Sequence, residues 1–160
     1  MSAPARKSNQ SILTQKVFSP KYRVIQNARD ILADTENWVR IGAFADKDGN
    51  QTGLDDPRAA RFSAIGAVEK AVTDLYGPIY SSYKHQLYPD DPEYCREVEE
   101  TNRAYKARVV FHAVTDDLDK FTRCNFWPHR NIIDLNISED FPDPRLCFIE
   151  ICNLWLSRNS

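Results

Sequence analysis

A mainly α fold is what the sequence predicts: a single compact domain of four to five helices with a small extended or hairpin element. Three observations predict it. Apolar residues recur at helical spacing in several segments, three Asp-Pro pairs stand where helices could begin, and an Asp-Gly turn follows a short apolar run. The 160 residues suit one domain, and a globule of that size buries about 70% of the surface its unfolded chain exposes, without disulfides or metal. The composition, 42% hydrophobic and 28% charged, argues against long-range disorder.

Residues 1–18 are polar and rich in small side chains and read as a flexible basic arm, leaving 19–160 as the helical domain. After Pro20 the spacing predicts a helix from Lys21 to about Thr35, with Ile25, Ala28, Ile31 and Leu32 on one face and Arg29 and Asp30 on the other. The run WVRIGAFA, 38–45, reads as a buried irregular segment or a short strand. DKDGN, 46–50, reads as a tight turn in which Gly49 supplies the positive φ. For the second helix Asp56 is the expected cap, Pro57 the first helical residue and Gly77 the stop. Phe62, Ile65, Val68, Val72 and Leu75 form its stripe. Gly66 inside it costs up to about 1 kcal/mol relative to Ala, which predicts that another backbone crosses closely there.

Asp91-Pro92 is expected to open a long helix through Tyr94, Val98, Tyr105 and Val109, with a separate short helix over 115–123. Residues 131–137, NIIDLNI, are short and β-branched and read as a strand or an extended connection. Asp143-Pro144 opens the last helix through Leu146, Phe148, Ile149 and Cys152. That segment is apolar nearly all round, so it is expected at the centre of the core, with a homodimer face as the alternative.

Charge and length narrow the functions. The net charge of −2 divides into about +5 over residues 1–30 and about −7 over the rest, so the body repels phosphate. Nucleic acid is an unfavoured partner, with contact through the arm kept as the weakest reading. No apolar run is long enough to span a bilayer, and the first residues lack the apolar stretch of a signal peptide, so no membrane association and a cytoplasmic location are expected. Cys95, Cys124, Cys147 and Cys152 are too few for a disulfide scaffold and read as free thiols.

No candidate chemistry assembles by spacing. Asp46, Asp48, Asn50 and Asp55 are hard oxygen donors of the kind calcium takes, but no register of an EF-hand loop fits them. An anion site at the start of the second helix, assisted by Arg58 and Arg61, is already occupied electrostatically by Asp55 and Asp56. Cys124 with His129 and Cys147 with Cys152 lack the spacing of a structural zinc site. His112, on a mostly apolar face, reads as a hydrogen-bonded core residue, and the paired acids Asp116-Asp117 read as solvent-facing. Phosphate-cradling and hydrolase motifs are missing from the sequence, so no catalytic residue, metal or cofactor is assigned.

One pattern resembles a known family. Trp38, Gly42-Ala43-Phe44-Ala45, Asp48-Gly49, Pro57, Ala60-Arg61-Phe62 and Gly66-Ala67-Val68 with Ala71 resemble, in order and spacing over about 34 residues, a family of small, mostly helical bacterial and phage proteins of unknown function. Ile132-Ile133-Asp134-Leu135-Asn136 is similar to that family's hydrophobic segment ending in Asn-Asp, with Ile137 standing at the Asp position. The resemblance implies a helical fold and a bacterial or phage origin, and no activity. The expected role is a non-enzymatic interaction protein whose partner is a protein. Its contacts would be Tyr80 and Tyr83 in the connector Tyr76–Tyr88, and Trp38, Arg40, Asp46 and Asp48 around the turn. The alternative is a small enzyme or ligand-binding protein with Trp38, Arg40, Asp46 and Arg61 as walls of a site between the Asp-Gly loop and the second helix.

Overall fold

The computed structural model describes residues 19–77, 79 and 92–160, with the backbone alone for 92–102 and 104. Tyr80, Tyr83 and most of the Tyr-rich connector lie outside the described residues. The described chain is mainly helical, five helices and one two-stranded antiparallel sheet, as the sequence predicts.

Helix α1 (Pro20–Ala33) begins where Ser19 Oγ accepts the Tyr22 N–H at 3.2 Å, with Pro20 in the first turn, where its missing N–H has no intrahelical partner to lose. It buries Val24, Ile25, Ala28 and Leu32. At its other end the buried Arg145 donates from Nη1 to the carbonyls of Leu32 and Ala33, at 2.7 and 3.2 Å, and so satisfies carbonyls that the helix leaves free. A 3-10 turn, Thr35–Asn37, capped by Asp34, then leads to the sheet.

The sheet corrects one expectation. Strands β1 (Phe44–Ala45) and β2 (Arg61–Phe62) pair antiparallel, Phe44 opposite Phe62 and Ala45 opposite Arg61. Residues 61 and 62 are therefore committed to pairing, and α2 spans Ala64–Tyr76 rather than starting at Pro57. Ser63 is its cap, with Oγ accepting from Gly66 N–H at 3.2 Å, while Asp56 closes only a local turn by accepting from Arg58 N–H at 2.9 Å. Gly77 ends α2 as expected, at φ 92°. Gly66 also meets its expectation, because a Cβ there would run into the Ala43 carbonyl, which takes the Ser63 N–H at 3.0 Å. The hairpin strand lies directly on the first turn of α2.

Two more expectations change. Helix α3 runs unbroken over Pro92–Asn125, so 115–123 is not a separate helix. Ala107, Val114, Leu118 and Thr122 continue one buried face, and nothing in the sequence between them breaks it. His112 is exposed on the other side, and Asp117 is half-buried, accepting at Oδ2 from Lys21 Nζ at 3.0 Å and Trp155 Nε1 at 3.1 Å. Residues 132–137 form a short helix, α4 (Ile132–Ile137), not a strand. Asn131 Oδ1 accepts from Asp134 N–H at 2.8 Å and Asp119 Oδ1 from Ile132 N–H at 3.0 Å, so side chains hold two of the N–H groups at the start of the turn.

Helix α5 (Pro144–Arg158) opens at Asp143-Pro144 and buries Phe148, Ile151, Cys152, Trp155 and Leu156 in the shared core. These residues of the apolar segment pack inside the chain, against α1, α3 and α4, while Leu146 is exposed. Ala64, Ala67, Val68, Ala71 and Val72 of α2, with Phe44 and Phe62 of the hairpin, complete that core.

Candidate functional site

The residues singled out from the sequence fall into two groups that face different neighbours. The first is the turn after β1. Asp46 folds its carboxylate over the turn backbone, Oδ1 accepting from the N–H groups of Asp48 and Asn50, both at 2.9 Å, and Oδ2 from Asn50 Nδ2 at 3.2 Å. These bonds, that from the Asn50 backbone foremost, hold the Asp46 carboxyl below its usual range. Gly49 takes φ 88°, the left-handed value that completes the turn. Arg61, one strand away, donates from Nη2 to the Lys47 carbonyl at 2.7 Å.

Between this turn and residues 57–60 lies an open cleft of about 290 Å³, lined by Asp46, Lys47, Asp48, Pro57, Arg58, Ala59 and Ala60. Two of its charged side chains, Asp46 and Arg58, are already engaged. Arg58 grips Asp56 through Nε at 3.2 Å and Nη2 at 2.9 Å, which lowers the Asp56 carboxyl and raises the guanidinium. Because α2 begins at Ala64, Arg58 and Arg61 precede it and do not flank its first turn.

Trp38 and Arg40 form the second group, and they meet α4. Asn136, 2% exposed, is the centre of this junction. Its Oδ1 accepts from Trp38 Nε1 and from Ala64 N–H, both at 2.9 Å, and its Nδ2 donates to the carbonyls of Val39 and Arg40 at 3.1 and 2.8 Å. All four hydrogen-bonding sites of the amide group, two acceptor and two donor, are thereby used inside the protein. Arg40 adds a bond from Nη1 to the Ser138 carbonyl at 3.1 Å, and its guanidinium carbon sits 5.7 Å from the Trp38 ring centroid. Asn136 joins the 38–40 segment, the start of α2 and α4 in one buried knot.

His129 Nε2 lies 3.2 Å from both Ser138 Oγ and Asp140 Oδ2, while Cys124 is exposed, Cys147 half-buried and Cys152 buried. Burial raises the thiols of Cys147 and Cys152 above the ordinary value. Among the described residues no three His, Cys, Asp or Glu side chains converge as a metal site, and no helix is long and apolar enough to cross a membrane.

Large apolar side chains do reach solvent on α4 and on segments tied to it. Trp127 is 70% exposed in the turn between α3 and α4, Ile133 and Ile137 are about half exposed one helical turn apart on α4, and Ile41 is 65% exposed. Two ties hold these segments at α4: the Asn136 bond to Arg40 O beside Ile41, and the contact of His129 with Ser138 two residues after Trp127. No protein-family model, curated protein or solved structure matches the chain. The exposed set was not visible from the sequence, where Ile133 and Ile137 read as part of an extended segment. At helical spacing they share a face, with Ile132 and Leu135 turned inward.

Proposed function

We propose that this is a non-enzymatic interaction protein, of bacterial or phage origin as the resemblance implies, whose partner is another protein. The observation that carries the reading is the exposure of Trp127, Ile41, Ile133 and Ile137 around α4. Isolated apolar residues on a surface need no explanation, but an indole and three isoleucines exposed on α4 and on segments tied to it supply apolar area of the kind that interfaces use. Trp is also among the residues most enriched at energetic hot spots. Four of the side chains expected at a site have internal partners instead: Asp46 holds its own turn, Arg61 the Lys47 carbonyl, and Trp38 and Arg40 the α4 junction.

The test compares two baits in affinity capture from host extract, the unaltered chain and a Trp127→Ala, Ile137→Ser variant. A partner retained by the first and lost by the second, and then bound in purified form, supports the reading. Identical recoveries from both baits overturn it. The second reading, a small-ligand site, draws only on the cleft beside Asp46, whose volume lies at the small end for ligand pockets, about 300 to 1,000 Å³. Native mass spectrometry decides it: a bound mass removed by Asp46→Ala favours it, and a bare chain mass opposes it.

A further inference from the structure

On a body that is acidic, one stretch of α3 is basic. Residues 31–160 carry about −7 in all, yet no acid occurs between Glu100 and Asp116, where Arg103, Lys106 and Arg108 stand. Arg103 and Lys106 are exposed and Arg108 is half-buried. Among the described residues no carboxylate pairs with any of the three. Arg103 and Lys106, three positions apart on the helix, repel one another, and an anion brought from outside relieves that repulsion.

Apolar area lies between these cations. At about 100° per residue, Tyr105, Val109 and His112 fall within an arc of about 60°, on the side opposite the buried Ala107, Val114 and Leu118. Tyr105 is 58% and Val109 50% exposed, and His112 is exposed as well. Lys106 falls on one side of this line and Arg108 on the other. The Arg108 guanidinium carbon lies 5.9 Å from the Tyr105 ring centroid, which keeps that charge beside the line. An aromatic and a β-branched side chain one helical turn apart, with a cation on each flank, are the complement of an acidic amphipathic helix. Its apolar stripe covers Tyr105 and Val109 while carboxylates on its two edges meet Lys106 and Arg108. Length separates this occupant from a nucleic acid. Glu100 and Asp116 bound the basic stretch about 24 Å apart along the helix. A helical segment of two to three turns fits within that span, whereas a phosphate backbone laid along α3 runs onto an acid at either end and then onto the acidic body.

We propose that residues 103–112 of α3 dock a short acidic amphipathic helix of a partner protein. This surface uses none of the exposed residues around α4 and does not depend on the function proposed for them. The probe is a labelled synthetic peptide of about three helical turns, with leucines one turn apart and glutamates on both sides of them. It is titrated with the full chain by fluorescence anisotropy, and circular dichroism confirms that each variant is folded. The peptide should bind, more weakly as salt rises. Lys106→Glu with Arg108→Glu should raise its dissociation constant on the order of tenfold, since two attractions become two repulsions. Tyr105→Ala should weaken binding through the lost apolar contact, while Arg23→Glu, which reverses an exposed cation on α1, should leave it unchanged. With lysines in place of the peptide's glutamates the order should invert, the doubly reversed variant binding more tightly than the parent, an exchange that damage to the fold does not produce. Four results overturn the proposal: no saturable binding at about 500 μM chain, an equal loss in Arg23→Glu, a DNA duplex of about 20 base pairs bound more tightly than the peptide through the same two cations, or a self-association of the chain that the same two reversals abolish.

Discussion

Asn136 shows how one amide can organise a junction that no apolar residue could. Removing it leaves an indole N–H, a helix-start N–H and two carbonyls without their buried partner, and a hydrogen bond lost in that way costs more than the same bond contributes when made. Asn136→Ala should therefore cost about 3 kcal/mol or more in urea unfolding. Asn136→Asp should be no milder at pH 7, because a carboxylate keeps the acceptor and loses both donors. An Asp variant as stable as the parent would contradict this account. Asp119 presents the opposite case. Burial raises its carboxyl above the usual range although Ile132 N–H bonds to it, so the ionised form is held at a cost that protonation relieves as pH falls through the raised value. Asp119→Asn keeps the acceptor without the charge and should hold or raise stability at pH 7, while Asp119→Ala should lose about 1 to 2 kcal/mol. Asp46 has the reverse sign. Its folded value lies below the ordinary 3.8, so its grip on the turn is complete above 3.8 and is lost as pH falls through the lower folded value. NMR of the Asp48 and Asn50 amides should report that transition below pH 3.8 and its loss in Asp46→Asn.

The start of α2 separates two chemically similar signals. Asp56-Pro57 and Ser63 both suit a helix start, and local propensity favours the first. Strand pairing decides for the second, because Arg61 and Phe62 must stay extended to meet Ala45 and Phe44. Ser63→Ala should cost about 1 kcal/mol and loosen the first turn of α2. Pro57→Ala should leave helix content unchanged by circular dichroism, and a drop would return the helix start to Pro57. At Gly66 the usual preference is inverted. Alanine is favoured over glycine in a helix by up to about 1 kcal/mol, yet Gly66→Ala should destabilise by about 2 kcal/mol, because the added methyl group meets the Ala43 carbonyl. A stabilised Gly66→Ala would show that the hairpin can move away.

For the molecule as a whole, what could be read in advance was whatever is encoded by near neighbours in sequence. The stripe of α1, the turn at Gly49, the stop at Gly77 and the Asp143-Pro144 start are of this kind. The close crossing at Gly66 was legible for a different reason, since a residue that penalises its own helix needs a distant cause. What escaped depended on long-range partners. Residues 131–137 look extended by composition, but Asp119 and Asn131 supply helix-start acceptors, and one of them is contributed by another helix. His112 reads as a core residue because its surroundings in the sequence are mostly apolar, but the face of α3 that packs is the one carrying Ala107, Val114 and Leu118. Of the candidate site, the sequence identified the Asp46 turn and Trp38, but not that Asn136 captures the tryptophan from 98 positions further on.

That separation has a consequence for synthesis. A ribosome adding about 5 to 20 residues per second delivers position 136 some 5 to 20 s after position 38. Throughout that interval the nascent N-terminal half carries an indole and two carbonyls whose eventual partner has not yet been translated. The hairpin and the first two helices can come together early, but the lock that closes them arrives only once α4 has been translated.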